Sequence, residues 1–589
     1  MSVRRAVALC AWLAACQPAV RAVDDASVVT PDASDPCGAG CPAAQLCAPA
    51  LGCVDCLPGA GPTCGADGVY ACNPDGTLGA QLSACADDEA CADLACVDAC
   101  AHAADAHGYE GCEYWAVDLD NIIEVDSLPD AHGTCAIDGS TLVTAAVCSD
   151  GTHFAGSCDW NGDCTGAPFA TCQTLGVCAD DAQHAPFAIV VSNPDDVRPV
   201  HLALVAAGAA AYETDLAPGE VRALLPQALG FADQSIDHSG IAAHAYRVTT
   251  NRPVVAYQFN PLDDVHVFSN DASLLLPRHT FGQRYLAIDA PSAVRRPELD
   301  DWDGTLTVVA PEAGETVVTV TPTQAVRAGD GVPALAAGVA HSFHLHPFET
   351  LNLEGHAPGD LTGTLIESDR PVSVWAGHEA TALGATCCAD HLEDQLFPMN
   401  AWGQVYALAR AQPRAGAAGD LLRILAQRPG TTVTFDPPVA TCPVLDTGGM
   451  CEVVVPGDVL VSANQPILVA HFLMAAGGLG PNSGDPALSF AIPAEQQRRT
   501  YTLLVPDTYF NNYLSIVTPV GGHVLVDGVD RSAALTPFAS ARWAALRLPV
   551  AGGRHRVACS AGCGVEVYGW AEAVSYLYAA GLDVKVIVP

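Results

Sequence analysis

The stretch VTTNRPVVAYQFNPLDDVHVFSNDASLLLP, Val248 to Pro277, holds a pattern that the rest of the chain repeats. A strand-like run ends in Asn251-Arg252-Pro253, and a second run, Val254 to Phe259, comes directly after it. The arrangement returns as IESDRPVSVWAG (Ile366 to Gly377) and as VSANQPILVAHF (Val461 to Phe472). Each time a small polar residue and a Pro sit between two apolar, β-branched runs. Asn and Asp tolerate unusual backbone angles, and Pro fixes φ and withholds a ladder donor. Each copy therefore predicts two antiparallel strands around a tight corner.

Working outward, each corner is followed by a Pro and a Tyr eight residues apart: Pro277 and Tyr285, Pro398 and Tyr406, Pro493 and Tyr501. Next come LTVVAPEAG (Leu306 to Gly314), LRILAQRPG (Leu422 to Gly430) and LSIVTPVGG (Leu514 to Gly522), which read as hairpins. Three signals recurring in one order mean tandem modules of roughly a hundred residues each. The last copy closes on VACSAGCGVEVYGW (Val557 to Trp570), where two Cys replace the Pro, and a degenerate early copy begins at Phe187. The expected fold class is all-β: tandem β-sandwich-like modules preceded by a small disulfide-rich N-terminal region. A propeller-like closed ring is the competing architecture.

The chain has 589 residues, too many for one core. Half are hydrophobic and mean hydropathy is +0.24, so a folded body is expected. A formal charge of −41 repels nucleic acid and anionic lipid, so neither is expected as a partner. Arg4 and Arg5 followed by the short apolar run Ala6 to Ala15 read as an export signal. It ends Leu13-Ala14-Ala15-Cys16, which resembles a bacterial lipobox with Cys16 as the lipidated residue; an ordinary signal peptide is the alternative. Contact with the membrane is then expected only through that N-terminal lipid, at the outer membrane or cell surface. Setting aside Cys10 and Cys16, twenty-four of the twenty-six Cys remain, and an even number in an exported chain reads as disulfides.

The expected divisions are 1–16 signal peptide, 17–36 tether, 37–100 Cys-rich disulfide-stapled region and 101–185 the opening of the main body with a Cys-rich insertion. Four β-modules complete the chain: 186–276, 277–397, 398–492 and 493–589. A region as small as 37–100 buries little apolar surface and needs its disulfides. Cys53 and Cys56 form a CxxC pair without a partner pair at zinc-ribbon spacing.

Gly111-Cys112-Glu113-Tyr114-Trp115-Ala116-Val117-Asp118-Leu119-Asp120-Asn121 introduces a resemblance. Together with FAIVVSNP, PVVAYQFNP, VFSNDASLLLP, DLTGTLIESDRPVSVWAGHEA and CCADHLEDQLFP, it resembles the IgGFc-binding protein N-terminal domain family of bacterial surface proteins. The resemblance covers roughly Tyr109 to the C-terminus. It implies surface display and binding of an extracellular protein or glycan, and it supplies no catalytic motif. The six-Cys segment between Asp126 and Asp181 departs from it.

Several clusters carry possible chemistry. His378-Glu379 and Cys387-Cys388-Ala389-Asp390-His391-Leu392-Glu393-Asp394 place thiols, imidazoles and carboxylates within seventeen residues; they read as zinc ligands or as a disulfide-pinned loop. His344 and His346 share one strand face, either solvated or metal-binding. Asp159, Asn161 and Asp163 read as a turn or as the start of a calcium loop that Cys158 and Cys164 flank and can fix, although Ala170 stands where a bidentate Glu belongs. Asp118, Asp120 and Asn121 are a weaker calcium candidate, with support of the fold beside Trp115 as the alternative. Further disulfide candidates are Cys387, Cys388, Cys442, Cys451, Cys559 and Cys563. GxSxG, HExxH, P-loop and GxGxxG motifs do not occur in strand-helix context. The leading expectation is a non-catalytic surface lipoprotein without cofactor, calcium excepted. A secreted metal-dependent hydrolase using His378 to Asp394, or a structural envelope spacer, are the alternatives.

Overall fold

A computed structural model describes residues 46–48, 51–130, 132–135, 140–158, 164, 169, 171–262, 269–290, 302–355, 359–384, 388–414, 416–476, 484–571 and 574–587. The body is all-β. Each of its four modules is built on one very long strand: Ala245–Asn260, Leu365–Thr381, Val459–Leu473 and Gly553–Trp570. The predicted corners lie inside these strands. The paired antiparallel strands read from the sequence are therefore one strand that bends and continues.

The bend has the same form every time. On the partner strand, two residues of advance oppose five on the long strand: Glu113 to Gly111 against Thr249 to Val254, and Arg284 to Gly282 against Glu367 to Val372. The third and fourth modules repeat it with Val405 to Gly403 against Ser462 to Ile467, and Thr500 to Arg498 against Ala558 to Cys563. Surplus residues in one strand make a bulge, which bends the strand and re-aims its second half. Asn-Arg-Pro is suited to it because Pro253 has no N–H to leave unpaired.

Because the strand bends, its two halves serve two sheets. In the first module, residues 245–250 pair with Gly111–Val117 and Val200–Ala206, whereas residues 255–260 pair with Ala188–Ser192 and Asp271–Leu275. A strand shared across a corner is how two sheets pack at a steep angle around one core. The Pro-to-Tyr signal explains itself here. Tyr114, Tyr285, Tyr406 and Tyr501 are buried, and their hydroxyls donate to the carbonyls of Val254 (2.5 Å), Val372 (2.8 Å), Ile467 (2.6 Å) and Cys563, the residue at the end of each bulge. Each hydroxyl satisfies a backbone acceptor at the bend.

The modules close on themselves. A short strand ends each one, at Asp271–Leu275, Asp390–Gln395, Ala487–Phe490 and Ser575–Ala579. Each pairs by backbone only with its own long strand among the described residues, and the four lie side by side around a common axis, the fourth touching the first. After the axial strand of modules one to three the chain turns at Pro277, Pro398 or Pro493, makes one 3₁₀ turn, and enters the next module. The seams are close: a Cβ on Gly111, Gly282 or Gly403 would stand 2.4 Å from the Cβ of Pro277, Pro398 or Pro493 respectively.

The last seam joins the fourth module to the start of the first. Tyr109 donates its N–H to Leu582 (3.1 Å), Val584 donates to His107 (2.7 Å), and Arg498 lies over the Tyr109 ring while pairing with Asp583 at 2.9 Å. Asp196 of the first module also pairs with Arg556 of the fourth. One hydrophobic core runs through all four modules, from Tyr109 to Val584.

Outside the ring, the Cys-rich region carries the bonds Cys56–Cys72, Cys64–Cys91 and Cys85–Cys96, and Cys100–Cys112 ties it to the first module. Arg198 and Arg252 of that module both donate to the Glu89 carbonyl at 2.7 Å, fastening the region to the ring. The six-Cys segment forms its own four-stranded sheet within Ile123–Asp181.

Candidate functional site

Of the segment singled out for its chemistry, the strand Asp390–Gln395 lands at the centre of the ring, and residues 385–387 lie outside the described residues. Axial strands are edge strands, and their unpaired N–H groups point at one another every second residue. Side-chain carboxylates take up those donors. Asp271 does so most completely: it accepts the N–H of Ala272 (2.9 Å), Glu393 (3.3 Å), Leu488 (2.9 Å) and Leu577 (3.3 Å), one from each module. Two residues towards the strand starts, Asp390 accepts from Asn270 (2.6 Å) and Ser575 (3.2 Å). The matching N–H of His391 goes to the Ser269 hydroxyl, and the matching residue of module three is Pro486, which has none. Two residues in the other direction, Asp394 accepts from Gln395 (2.9 Å) and Phe490 (2.6 Å). Burial pushes the pKa of all three carboxyls up, and the amides aimed at them pull the other way.

His378 and His391 are fully buried beside this axis. Burial and then the neighbouring His391 hold the His378 pKa down at about 3, so His378 is neutral at pH 7. Glu393 accepts from Gln258 (3.0 Å) and Ser273 (2.9 Å) and stands 3.8 Å from His391. Cys388 is disulfide-bonded, while Cys387 lies outside the described residues. Among the described residues, His378, His391 and Glu393 do not bring three ligand atoms close enough for one ion. The carboxylates of Asp120, Glu354 and Glu379 do, within 4.8 Å of one another. Asp120 also accepts the His238 N–H (3.0 Å), and Glu379 the Asp303 N–H (2.8 Å). Burial and then Asp120 push the Glu379 pKa up.

The remaining candidates fall elsewhere. Asp159, Asn161 and Asp163 lie outside the described residues, as does Cys16. Cys158 and Cys164 are not joined to each other: Cys164 is bonded to Cys148 of the strand Thr141–Ser149, and Cys158 to Cys172 of the strand Cys172–Asp181. Cys442 is bonded to Cys451, and Cys559 to Cys563 across the fourth bend. His344 and His346 are exposed and pair with Glu315 (3.1 Å) and Glu349 (3.3 Å). Asn121 bridges Asn260 and Ser269 from within the core.

Sequence reasoning passed over Asp271, although it stood in the opening stretch. Its signal was a lone acid six residues before the Pro, where the other copies have Leu392 and Ala487. It also passed over His471, buried between Asp420 (3.0 Å) and Glu566 (3.2 Å). An open groove of about 390 Å³ lies between the Cys100–Cys112 disulfide, Glu113, Arg278, Phe281 and Glu312. Arg278 spans it, pairing with Glu113 (3.2 Å) and Glu312 (2.7 Å).

Comparison with known proteins agrees with the sequence resemblance. The human IgGFc-binding protein is 24% identical over 373 residues, which is 60% of this chain and 6% of that protein, so the chain spans a small part of its relative. A solved structure of a tetra-tandem repeat from the extending region of a large adhesion protein is 10% identical with a TM-score of 0.08, covering 69% of this chain and 97% of that one. No helix among the described residues is long and apolar enough to cross a membrane. The family model described as IgGFc binding protein matches residues 271–569, half of the chain, from the axial strand of the first module into the long strand of the fourth. The chain belongs to the IgGFc-binding protein family.

Proposed function

We propose that the chain is a non-catalytic binding protein, exported and displayed at the cell surface, whose ring holds variable outer loops against an extracellular protein. One observation carries this reading. The polar residues that set the central segment apart, Asp390, Glu393 and Asp394, are buried and occupied with axial N–H groups and neighbouring side chains. Their use is accounted for by holding the modules together, and a rigid sheet scaffold with loops outward suits recognition. The family's description supports a protein ligand, and the charge of −41 favours a partner with basic patches. A glycan ligand, a lipid on Cys16 and an outer-membrane location are the finer parts of the proposal.

Surface plasmon resonance of the purified body against immobilised IgG Fc, matrix proteins and a glycan panel tests the binding reading. Saturable binding that weakens with salt is expected. Hydrolysis of a glycoside, ester or peptide, abolished by His378→Ala with the fold intact, would replace this reading with the hydrolase. For the anchor, Cys16→Ser should move the protein from the membrane fraction to the medium, and an unchanged fractionation refutes lipidation.

A further inference from the structure

At the end of the axis where its strands begin lies an arrangement that ring closure leaves unsatisfied. Asp390 and Asp485, from modules two and three, are fully buried and in direct contact. Neither carboxylate oxygen of Asp485 has a donor in good hydrogen-bonding geometry, although the Ser575 hydroxyl and the Asp390 carboxyl stand next to it. Asn270, from module one, is fully buried as well. Its backbone N–H donates to Asp390 and its side-chain nitrogen to the Tyr509 hydroxyl at 2.6 Å, but its side-chain oxygen has no partner. Ser575, from module four, gives its N–H to Asp390 and receives the N–H of Asp485 at 3.0 Å. All four modules meet here.

The charges do not balance. Asp271, next to Asn270 in the chain, adds a third carboxylate and raises Asp390. Against these stands Arg414, whose Nη1 reaches the Asp485 carbonyl at 3.3 Å. Three buried carboxyls face one guanidinium, so they cannot all be ionised without further positive charge. Two acceptors that face each other without a donor are stable there only when a proton or a cation lies between them. The unsatisfied atoms are all oxygens, a set that suits hard divalent cations and not zinc or copper.

We propose that Asp390, Asp485 and the side-chain oxygen of Asn270 bind one hard divalent cation of the calcium type, which locks the first three modules together at the head of the axis. The site is distinct from the Asp159 loop and from the Asp120, Glu354 and Glu379 group, and it draws one ligand from each of three modules.

Isothermal titration of chelator-treated full-length protein with calcium, paired with thermal melting at neutral pH, tests the site. Calcium should bind and raise the melting temperature, since a ligand of the native state alone stabilises it. Asp485→Asn supplies a donor to Asp390 and removes one charge. It should abolish this binding event while melting no lower than calcium-free wild type. Asn270→Ala leaves both acids in place and should weaken the same event about tenfold. Absence of binding at about 10 mM calcium, above the roughly 10⁻⁴–10⁻³ M constants of extracellular modules, overturns the proposal in favour of a proton shared by the pair. Binding that is unchanged in both variants places the ion elsewhere and overturns it too.

Discussion

Asp271 is one carboxylate doing what would otherwise need four acceptors. Asp271→Leu would install the residue that module two has at the corresponding place and leave four buried N–H groups without partners. An unsatisfied buried donor costs about 1–3 kcal/mol, so the loss should be about 4 kcal/mol or more, read as a drop in denaturation midpoint. If Asp271→Leu melts like wild type, the four contacts do not hold the axis. His471 makes a pH-dependent statement. Burial alone would lower its pKa, but Glu566 and Asp420 outweigh burial and hold it at about 10. A pKa raised above the unfolded value of about 6.5 gives stability that is whole below that pH and is lost as pH climbs towards 10. Wild type should therefore lose stability between neutrality and pH 10. His471→Gln should be less stable at pH 7, by roughly 3–5 kcal/mol for a buried charge pair broken on one side, and flatter over that pH range. Parallel pH profiles for the two proteins would refute the assignment. His471 was not legible in the sequence, because its partners lie more than fifty residues away. Asp271 showed only as a lone acid whose partners in the other three modules lie more than a hundred residues away.

At the scale of elements, the spacing was legible and its geometry was not. Asn251-Arg252-Pro253 and its copies read as corners between paired strands, and corners they are. What the letters do not carry is which strands lie across the gap, and these turn a would-be hairpin into a bulge in one strand. The Pro-to-Tyr distance was visible as a repeat yet unexplained until the Tyr hydroxyl met the bulge carbonyl. The fourth bend replaces Pro with the Cys559–Cys563 bond, closing a loop of sequence separation 4. A loop that short returns roughly 2 kcal/mol through the unfolded chain. Changing both Cys to Ser should cost about that much, and restoring Pro by Gly562→Pro in that double variant should recover part of it. A double Ser variant as stable as wild type would show that the Tyr501 contact alone holds the bend.

For the molecule as a whole, modules of about a hundred residues could be counted from the repeats, but an array and a ring give the same count. Ring closure resides in contacts that no repeat encodes: the pairing of Gly108 with Asp583, Tyr109 against Thr502 and Arg498, and Asp196 beside Arg556. These join residues 360 or more positions apart, where periodicity has nothing to match. The consequence is a sharp expectation for truncation. In an array of independent sandwiches, a chain ending just before Leu396 would keep its earlier modules folded. In the ring, the same cut removes Ala487–Phe490 and Ser575–Ala579, exposes two axial edges, and strips Asp271 of two of its four N–H partners. That truncated protein should show no cooperative melting transition by circular dichroism and should aggregate through its open edges, whereas the full chain melts as one unit. A cooperative transition in the truncated protein, near the temperature of the full chain, would mean that the axial contacts contribute little and that the modules stand alone.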